Sequence, residues 1–343
     1  MKTRYLTLDK NNLDPSSLSD AAEIIKSGGL VAFPTETVYG LGGNALNAYA
    51  AEKIYEAKGR PSNNPLIVHI SRIEDAEKYV VTDERYYKIA KAFMPGPITV
   101  IMPSKRVVAD SVCAGLDTLA VRCPSHPVAR AFIDMCGCPI AAPSANTSGR
   151  PSPTSAAHVA HDLDGRIDMI IDGGECEVGL ESTIIKLDKD KCILLRPGGI
   201  THEMLCNLLG EVEIAHGVIE RPDENTRVES PGMLISHYAP KAPLYLVRGS
   251  EEVVIEYMRD MLLSDGVYVL SYDGVYSPSD RVISLGNRLD QTDAAKRLFS
   301  ALRAADQFGA HQIYAPYPSQ EGIGLALLNR MLRAAAYRII DVQ

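Results

Sequence analysis

With 343 residues, 46% of them hydrophobic and 23% charged, the chain reads as a globular protein long enough for two domains. Its 35 lysines and arginines are outnumbered by 43 aspartates and glutamates, for a net charge of −8. The acidic excess holds on both sides of residue 243, which argues against a protein that grips RNA by its phosphates. No run approaches the ~18 apolar residues of a membrane span, and the start, MKTRYLTLDKNN, has no apolar signal core. Seven cysteines, none spaced Cys-x-x-Cys and all at or before Cys206, are expected as free thiols in a reducing cytoplasm.

A short strand is predicted at 4–8, then a helix that starts among Ser16, Ser17 and Ser19 and stops at Gly28-Gly29. The apolar run from Leu30 to Phe33 ends at Pro34, and Gly40, Gly42 and Gly43 predict tight turns and close approach to a ligand. A helix is predicted over 47–57, where Ile54 follows Ala50, and Tyr55 follows Ala51, at a spacing of four. Helical segments at 73–79 and 83–93 precede Pro95-Gly96-Pro97, which opens a strand at 98–102. Next come a strand at 118–122, a helix between His126 and Gly137, and strands at 139–142, 169–171, 183–187 and 192–195. This alternation gives an α/β class, and the consecutive strands between 183 and 195 require a mixed sheet. Residues 217–243 contain four prolines and no period, and read as a linker or functional lid. Beyond them, strands at 244–247, 267–271, 282–285 and 312–315 alternate with helices at 251–263, 290–306 and 322–335. The expected organisation is a first domain of 1–212, a linker of 213–243 and a small α/β domain of 244–343.

The stretch 31–71 sets hydroxyls (Thr35, Thr37), one carboxylate (Glu36), two fixed cations (Lys58, Arg60) and one imidazole (His69) beside the ends of two strands. Strand ends are where α/β proteins hold ligands, so this is an anion site in outline. Each piece also has a plain structural reading. Lys58-Gly59 is how helices ordinarily end, Arg60-Pro61 suits any loop, and a histidine in an apolar run is commonly a satisfied core residue. There is no Gly-x-x-x-x-Gly-Lys-Ser/Thr loop and no Gly-x-Gly-x-x-Gly, so a nucleotide site would have to be assembled from side chains. Lys58 offers a point charge and Arg60 a planar fork suited to two phosphate oxygens. Ser144 and Asn146 could donate to further oxygens, or form an exposed polar turn. Arg122 and Arg196 leave strands as further cations. Ser182 and Thr183 could bind a substrate or be ordinary strand residues. The spacing of His158 and His161 does not suit a zinc pair.

PTETVYGLG, followed by KGRP and NNPL with a histidine shortly after, resembles the threonylcarbamoyl-AMP synthase family, whose shared module is the YrdC-like domain. The family's Lys-x-Arg and later Ser-x-Asn stand here as Lys58 with Arg60 and Ser144 with Asn146. The resemblance spans roughly 15–210, and SPGMLISHYAP at 230–240 is similar to the linker motif of the long, two-domain members. Leu234 and Ile235 depart from the basic residue that many relatives carry after the methionine. The fold implied is a YrdC-like twisted mixed sheet with helices around a ligand cavity, plus a small Rossmann-like α/β domain.

The resemblance also implies roles. Lys58 and Arg60 would be catalytic and, with Ser144 and Asn146, would hold the ATP phosphates. Ser62, Thr118, Ser152 and Arg196 would lie on the nucleotide side, and His237 and Tyr238 would fold back over the triphosphate. Thr35, His69, Arg122 and Ser182 would form a threonine pocket, with Arg122 facing the carboxylate. The implied reaction joins L-threonine, bicarbonate or CO2 and ATP, with Mg2+, into threonylcarbamoyl-AMP and pyrophosphate. The product would pass to a separate tRNA threonylcarbamoyl transferase, with no stable tRNA binding by this acidic chain and no membrane. Two other classes stay open on the sequence. One is an RNA-binding or ribosome-associated module on the same fold. The other is a carbamoyl-phosphate-dependent carbamoyl adenylate former, whose cysteine-rich zinc segments are missing here.

Overall fold

The computed structural model describes residues 2–221, 237–277 and 279–343. Two sheets organise them. The first contains β1 (Arg4–Thr7), β2 (Val31–Phe33), β3 (Gly40–Asn44), β4 (Ile67–His69), β5 (Ile98–Pro103) and β6 (Thr118–Arg122). It is completed by β7 (Ile140–Ala142), β8 (Met169–Asp172), β9 (Thr183–Asp188), β10 (Lys191–Arg196) and β11 (Glu213–Ile214). The order is β1-β8-β2-β3-β7-β4-β6-β5-β9-β10-β11, with parallel and antiparallel neighbours mixed. Helices α1 (Ser19–Lys26), α2 (Ala48–Lys58), α3 (Glu84–Phe93), α4 (Asp110–Cys113), α5 (Pro127–Cys136), α6 (Ala156–Leu163) and α7 (His202–Leu209) surround it.

Strand side chains alternate faces, and both faces of this sheet are covered. Val31, Phe33, Ile140, Ala142, Met169 and Ile171 pack with α1 and α5, while Ala32, Ala141 and Ile170 join a second core on the opposite face. That double burial is why 30–33 reads as an unbroken apolar run.

The glycines after Pro34 do not make the expected succession of turns. Gly40, Gly42 and Gly43 lie in β3, which pairs with both β2 and β7. A Cβ on Gly42 would stand 2.8 Å from Ile140 Cγ2 and 3.0 Å from Phe33 Cε1. The close approach these glycines permit is therefore to the Phe33 ring and a neighbouring strand. Other differences are additions. Helices α6 and α7 are capped by the hydroxyls of Ser155 and Thr201, and β11 extends the first sheet into the expected linker.

The second sheet is all parallel, β14-β13-β15-β12-β16, from β12 (Leu244–Arg248), β13 (Val267–Ser271), β14 (Val282–Ser284), β15 (Gln312–Pro316) and β16 (Ile339–Asp341). Helices α8 (Glu251–Met261), α9 (Gln291–Gln307) and α10 (Ile323–Ala334) connect them. Strand β16 escapes sequence reading because its three residues are half-buried or exposed and so show no apolar run.

Helices α9 and α10 also face the first half of the chain. Val38, Leu180 and Tyr238 belong to the same apolar cluster as Leu298, Phe299, Leu327 and Met331. Ion pairs cross this junction: Arg303 grips Asp162 with two nitrogens at 2.8 and 3.1 Å, Arg330 meets Glu181 at 2.6 Å, and Arg150 meets Asp306. The first two pairs are buried. All seven cysteines are free.

Candidate active site

The first sheet gathers strand ends around one cavity. His69 closes β4 and Arg122 closes β6, directly side by side in register. Thr35 follows β2, Ser144 follows β7, Ser182 precedes β9 and Arg196 closes β10. All six line the cavity, as do Arg60, Glu181, His237 and Tyr238. The cavity is narrow, about 40 Å³.

Arg60 and Lys58 are brought there by the end of α2. Gly59 adopts φ 61°, the left-handed turn that halts the helix and reverses the chain. Lys58 is not the exposed helix-end cation that its sequence context also permitted: only 3% of it is exposed. Its ammonium donates to the carbonyls of Ser144 and Asn146, joining segments 86 residues apart. Burial, with Arg60 close by, pushes its pKa well below the ordinary lysine value. Arg60 Nη2 donates to Pro65 O at 3.2 Å and weakly to Asn64 O, while its Nε has no hydrogen-bond partner. Burial lowers Arg60 to about 10.

The turn after β7 is self-braced. Ser144 Oγ donates to Asn146 Oδ1 at 2.5 Å, and Asn146 Nδ2 donates to the carbonyls of Thr147 and Arg150. Ser144 reaches the cavity wall; Asn146, Lys58 and Ser152 stand behind it. Ser152 donates to Glu181. Ser62 is exposed and Thr118 lies at the opposite end of β6 from Arg122, so neither joins the wall.

On the other side, Arg122 Nη2 lies 2.8 Å from Glu36 Oε1, yet the two are misaligned for hydrogen bonding. Arg122 Nε and Nη2 and both Glu36 oxygens are left buried without a hydrogen-bond partner. His69 packs edge-on to Phe33, its Nδ1 meets Ile67 O at 3.1 Å, and burial plus Arg122 push its pKa down to about 3, keeping the ring neutral. Thr35 Oγ1 donates to Val38 O at 2.7 Å. Ser182 Oγ pairs with Thr99 Oγ1 at 2.7 Å and accepts from Arg196 Nη2 at 3.2 Å, while Arg196 Nε donates to Ser182 O. The loop after β10 can lie on this segment because Gly198 has no side chain: a Cβ there would sit 2.5 Å from Thr183 N.

His237 and Tyr238 close the cavity, while 230–236 of the linker motif lie outside the described residues. Burial, then Arg60, push His237 down to about 3, and its Nδ1 has no hydrogen-bond partner. Tyr238 holds φ 66°, strained for a bulky residue, and is fixed by rings of His237 and Phe299 at 4.1 and 5.3 Å.

Sequence reasoning passed over Glu181, Arg330 and the pairing of Glu36 with Arg122. Glu181 adjoins Ser182, and Arg330 interrupts the apolar helix IGLALLNRMLRA, so a charge on an apolar face was the available signal. Among the described residues, no group of three or more His, Cys, Asp or Glu side chains is placed to hold a metal ion.

Two family profiles match in tandem. One, described as Telomere recombination, covers residues 23–198, and the other, described as Threonylcarbamoyl-AMP synthase, C-terminal domain, covers 200–336. The Threonylcarbamoyl-AMP synthase of Bacillus subtilis (strain 168) is 45% identical over 338 residues, 97% of this chain and 96% of that one. The chain belongs to the threonylcarbamoyl-AMP synthase family. The family member of Pyrococcus abyssi (strain GE5 / Orsay) is 44% identical over 326 residues, 94% of this chain and 95% of that one. A solved structure, P. abyssi Sua5 complexed with L-threonine, superposes with a TM-score of 0.91 at 41% identity, covering 100% of both chains. The family, its two-part form and the mixed-sheet fold expected from the sequence all hold.

Proposed function

We propose that the chain is an L-threonylcarbamoyladenylate synthase, joining L-threonine, CO2 or bicarbonate and ATP with release of pyrophosphate. The observation that carries this reading is a set of buried donors without partners on two sides of one cavity. Arg122 Nε and Nη2 stand on one side and Arg60 Nε on the other. Leaving such groups unpaired costs about 1–3 kcal/mol each, more when charged, so they mark places where a ligand's oxygens belong. The full-length likeness to a relative complexed with L-threonine supports an amino-acid ligand, and we give it the Arg122 side because a guanidinium fork suits its carboxylate.

In this reading Arg122 takes the threonine carboxylate through Nε and Nη2, the bidentate geometry a guanidinium favours. Neutral His69, with Thr35 and Ser182, faces the hydroxyl and amine. The amine adds to CO2 and loses a proton, giving a carbamate. A carbamate oxygen then attacks the α-phosphorus, the bond to the bridging oxygen breaks, and pyrophosphate leaves with the electron pair. No protein nucleophile is used. The chain's part is to align the two reactants and to neutralise charge. Lys58, Arg60 and Arg196, whose charges are all depressed by burial, are stabilised by an arriving polyanion. Ser144, Asn146 and Ser152 shape that side. Ser62 and Thr118 lie beyond the wall and are given no role.

The 40 Å³ cavity is far below the ~300–1,000 Å³ of small-molecule pockets, so admitting ATP requires the wall to move. His237 and Tyr238 form that wall, and they would shield the carbamate, which decomposes in water. Mg2+ would be held by the triphosphate itself. The proposal includes the division into 1–212, 213–243 and 244–343, supported by the two separate sheets. It also includes a cytoplasmic location and release of product to a separate tRNA-modifying transferase. No described helix is long and apolar enough to cross a membrane. The test is to incubate the protein with ATP, bicarbonate and each amino acid in turn and measure pyrophosphate. Release should require threonine and bicarbonate together; release indifferent to threonine would overturn the reading.

A further inference from the structure

Helix α10 packs on the second sheet, yet its buried polar residues bond Glu181, just ahead of β9 of the first sheet, and the carbonyls of Gly217 and Val218. Asn329, Arg330 and Arg333 are all at most 2% exposed. Stripping a guanidinium of water is costly unless protein acceptors meet its nitrogens: those of Arg330 are all met, while Arg333 Nε is not. Arg330 Nε donates to Glu181 Oε2 at 2.6 Å, Nη1 to Asn329 Oδ1 at 2.7 Å, and Nη2 reaches Glu181 O at 3.4 Å. Its Cζ lies 5.7 Å from the centroid of the Tyr238 ring. Asn329 Nδ2 donates to Val218 O at 2.6 Å, and Arg333 Nη2 to Gly217 O at 2.8 Å.

Two cavity residues therefore take their positions from Arg330. The first is Glu181, whose other carboxylate oxygen accepts from Ser152 and whose chain neighbour Ser182 carries the bonds from Arg196. Burial alone would raise the Glu181 pKa, but Arg330, Arg196 and the Ser152 bond bring it down to about 2. The second is Tyr238, held at positive φ with one side of its ring against Phe299 and the guanidinium of Arg330 nearby. Without Arg330, a buried carboxylate facing the cavity beside Arg196 would lose its 2.6 Å partner and keep the bond from Ser152. It would then take a proton or draw on the cations assigned to the triphosphate.

We propose that Arg330, supplied by the second domain, is a positioning residue of the nucleotide side. It holds Glu181 and Tyr238 in place, so that the site is complete only with α10 docked against the first sheet. The proposal rests on the reading of the cavity as the site of adenylate formation. Arg330 does not line the cavity and reaches it only through Glu181 and Tyr238, whereas the Ser182 hydroxyl on the threonine side keeps its own partners, Thr99 and Arg196, so the effect is expected in the affinity for ATP and not for threonine.

The test uses the full chain. Arg330→Lys keeps a cation but cannot serve the Glu181 carboxylate and Asn329 together, and Arg330→Met keeps the packing volume while leaving Glu181 unpaired. Steady-state pyrophosphate release gives KM for ATP and for threonine, with far-UV circular dichroism run alongside. Arg330→Lys should raise KM for ATP about tenfold and leave KM for threonine within twofold. Arg330→Met should raise it further, and adding Glu181→Gln to Arg330→Met should recover part of the loss by removing the stranded charge. A purely structural role would lower the amount of active protein and leave both KM values unmoved. That result in Arg330→Lys, or equal rises in both KM values, would overturn the proposal, and Arg330→Lys decides the matter if Arg330→Met does not fold. Wild-type protein that releases no threonine-dependent pyrophosphate would instead overturn the reading of the site, so the two failures are distinct.

Discussion

Two of the molecule's concave places are opposite in character. One is the cavity among the strand ends of the first sheet; the other is a crevice at the carboxyl ends of β12, β13 and β15, lined by Val247, Arg248, Val254, Met258, Tyr272 and Tyr317. The crevice is roomier, about 320 Å³ against 40 Å³, and lies where parallel sheets often hold ligands. Its cations, however, are half exposed and already matched: Arg248 by Asp341 at 2.5 Å, and Arg288 by Glu251. In the smaller cavity the cations are buried, and Arg60 and Arg122 keep donors without partners. Buried cations that converge on one cavity with donors left over, even where Glu36 balances Arg122, mark the site better than volume does, because such groups are costly until a ligand meets them.

The strongest way to break this contrast is to remove the charge. Arg60→Ala is expected to lower threonine-dependent pyrophosphate release roughly 10²–10³-fold, since a contact to a developing anion is typically worth ~2–4 kcal/mol. Lys58→Ala should cost at least as much. It also takes the donor from the carbonyls of Ser144 and Asn146, so its thermal midpoint should fall where that of Arg60→Ala changes less. Near-normal release in both variants would place the nucleotide elsewhere.

Substrate choice sharpens the amino-acid side. Valine should be turned over about 10²-fold less well than threonine, measured as kcat/KM. Sites whose polar groups depend wholly on the substrate reject such analogues by ~10⁴–10⁵. Here Thr35 and Ser182 already have internal partners at 2.7 Å, which softens the penalty. Serine, lacking one methyl, should lose only ~1–3 kcal/mol. Equal turnover of threonine and valine would remove Thr35, His69 and Ser182 from the pocket.

A smaller effect is expected from His237→Ala. Removing the ring opens the cavity beside Arg60 without touching Arg122. Threonylcarbamoyl-AMP yield should therefore fall about tenfold at saturating ATP, with threonine affinity unchanged by calorimetry. Unchanged yield would make the segment a tether only.

How much of this was legible beforehand follows from where each signal resides. Strands such as 118–122 were readable because double burial makes their apolar centres continuous. The β3 strand was not, since glycines chosen for the Phe33 ring look like turn residues. The gathering of His69, Arg122 and Arg196 was legible as polar residues at strand ends, and Arg60 as a cation just past a helix end. Their burial was not: Lys58 followed by glycine is the same text whether the ammonium meets water or two carbonyls 86 and 88 residues away. Arg330 was least legible of all, because its partner Glu181 is 149 residues distant, in the loop that leads into the other sheet.

The least disturbance should come from the crevice. The ion pair of Arg288 with Glu251 has side chains 54% and 41% accessible, and such pairs contribute only ~0–1 kcal/mol once water and salt screen them. Arg288→Ala removes one cation from the crevice and leaves Glu251 in water, where it needs no partner. Pyrophosphate release, KM for ATP and KM for threonine should all stay within twofold of wild type, and the thermal midpoint within about two degrees. Arg288 and Arg330 stand on the same domain, so the pair of variants separates two ways that domain could matter. If α10 acts through Glu181 and Tyr238, Arg330→Lys changes the affinity for ATP while Arg288→Ala does not. A tenfold loss in Arg288→Ala would mean that the crevice takes part in the reaction, and that matched surface charge conceals a second site.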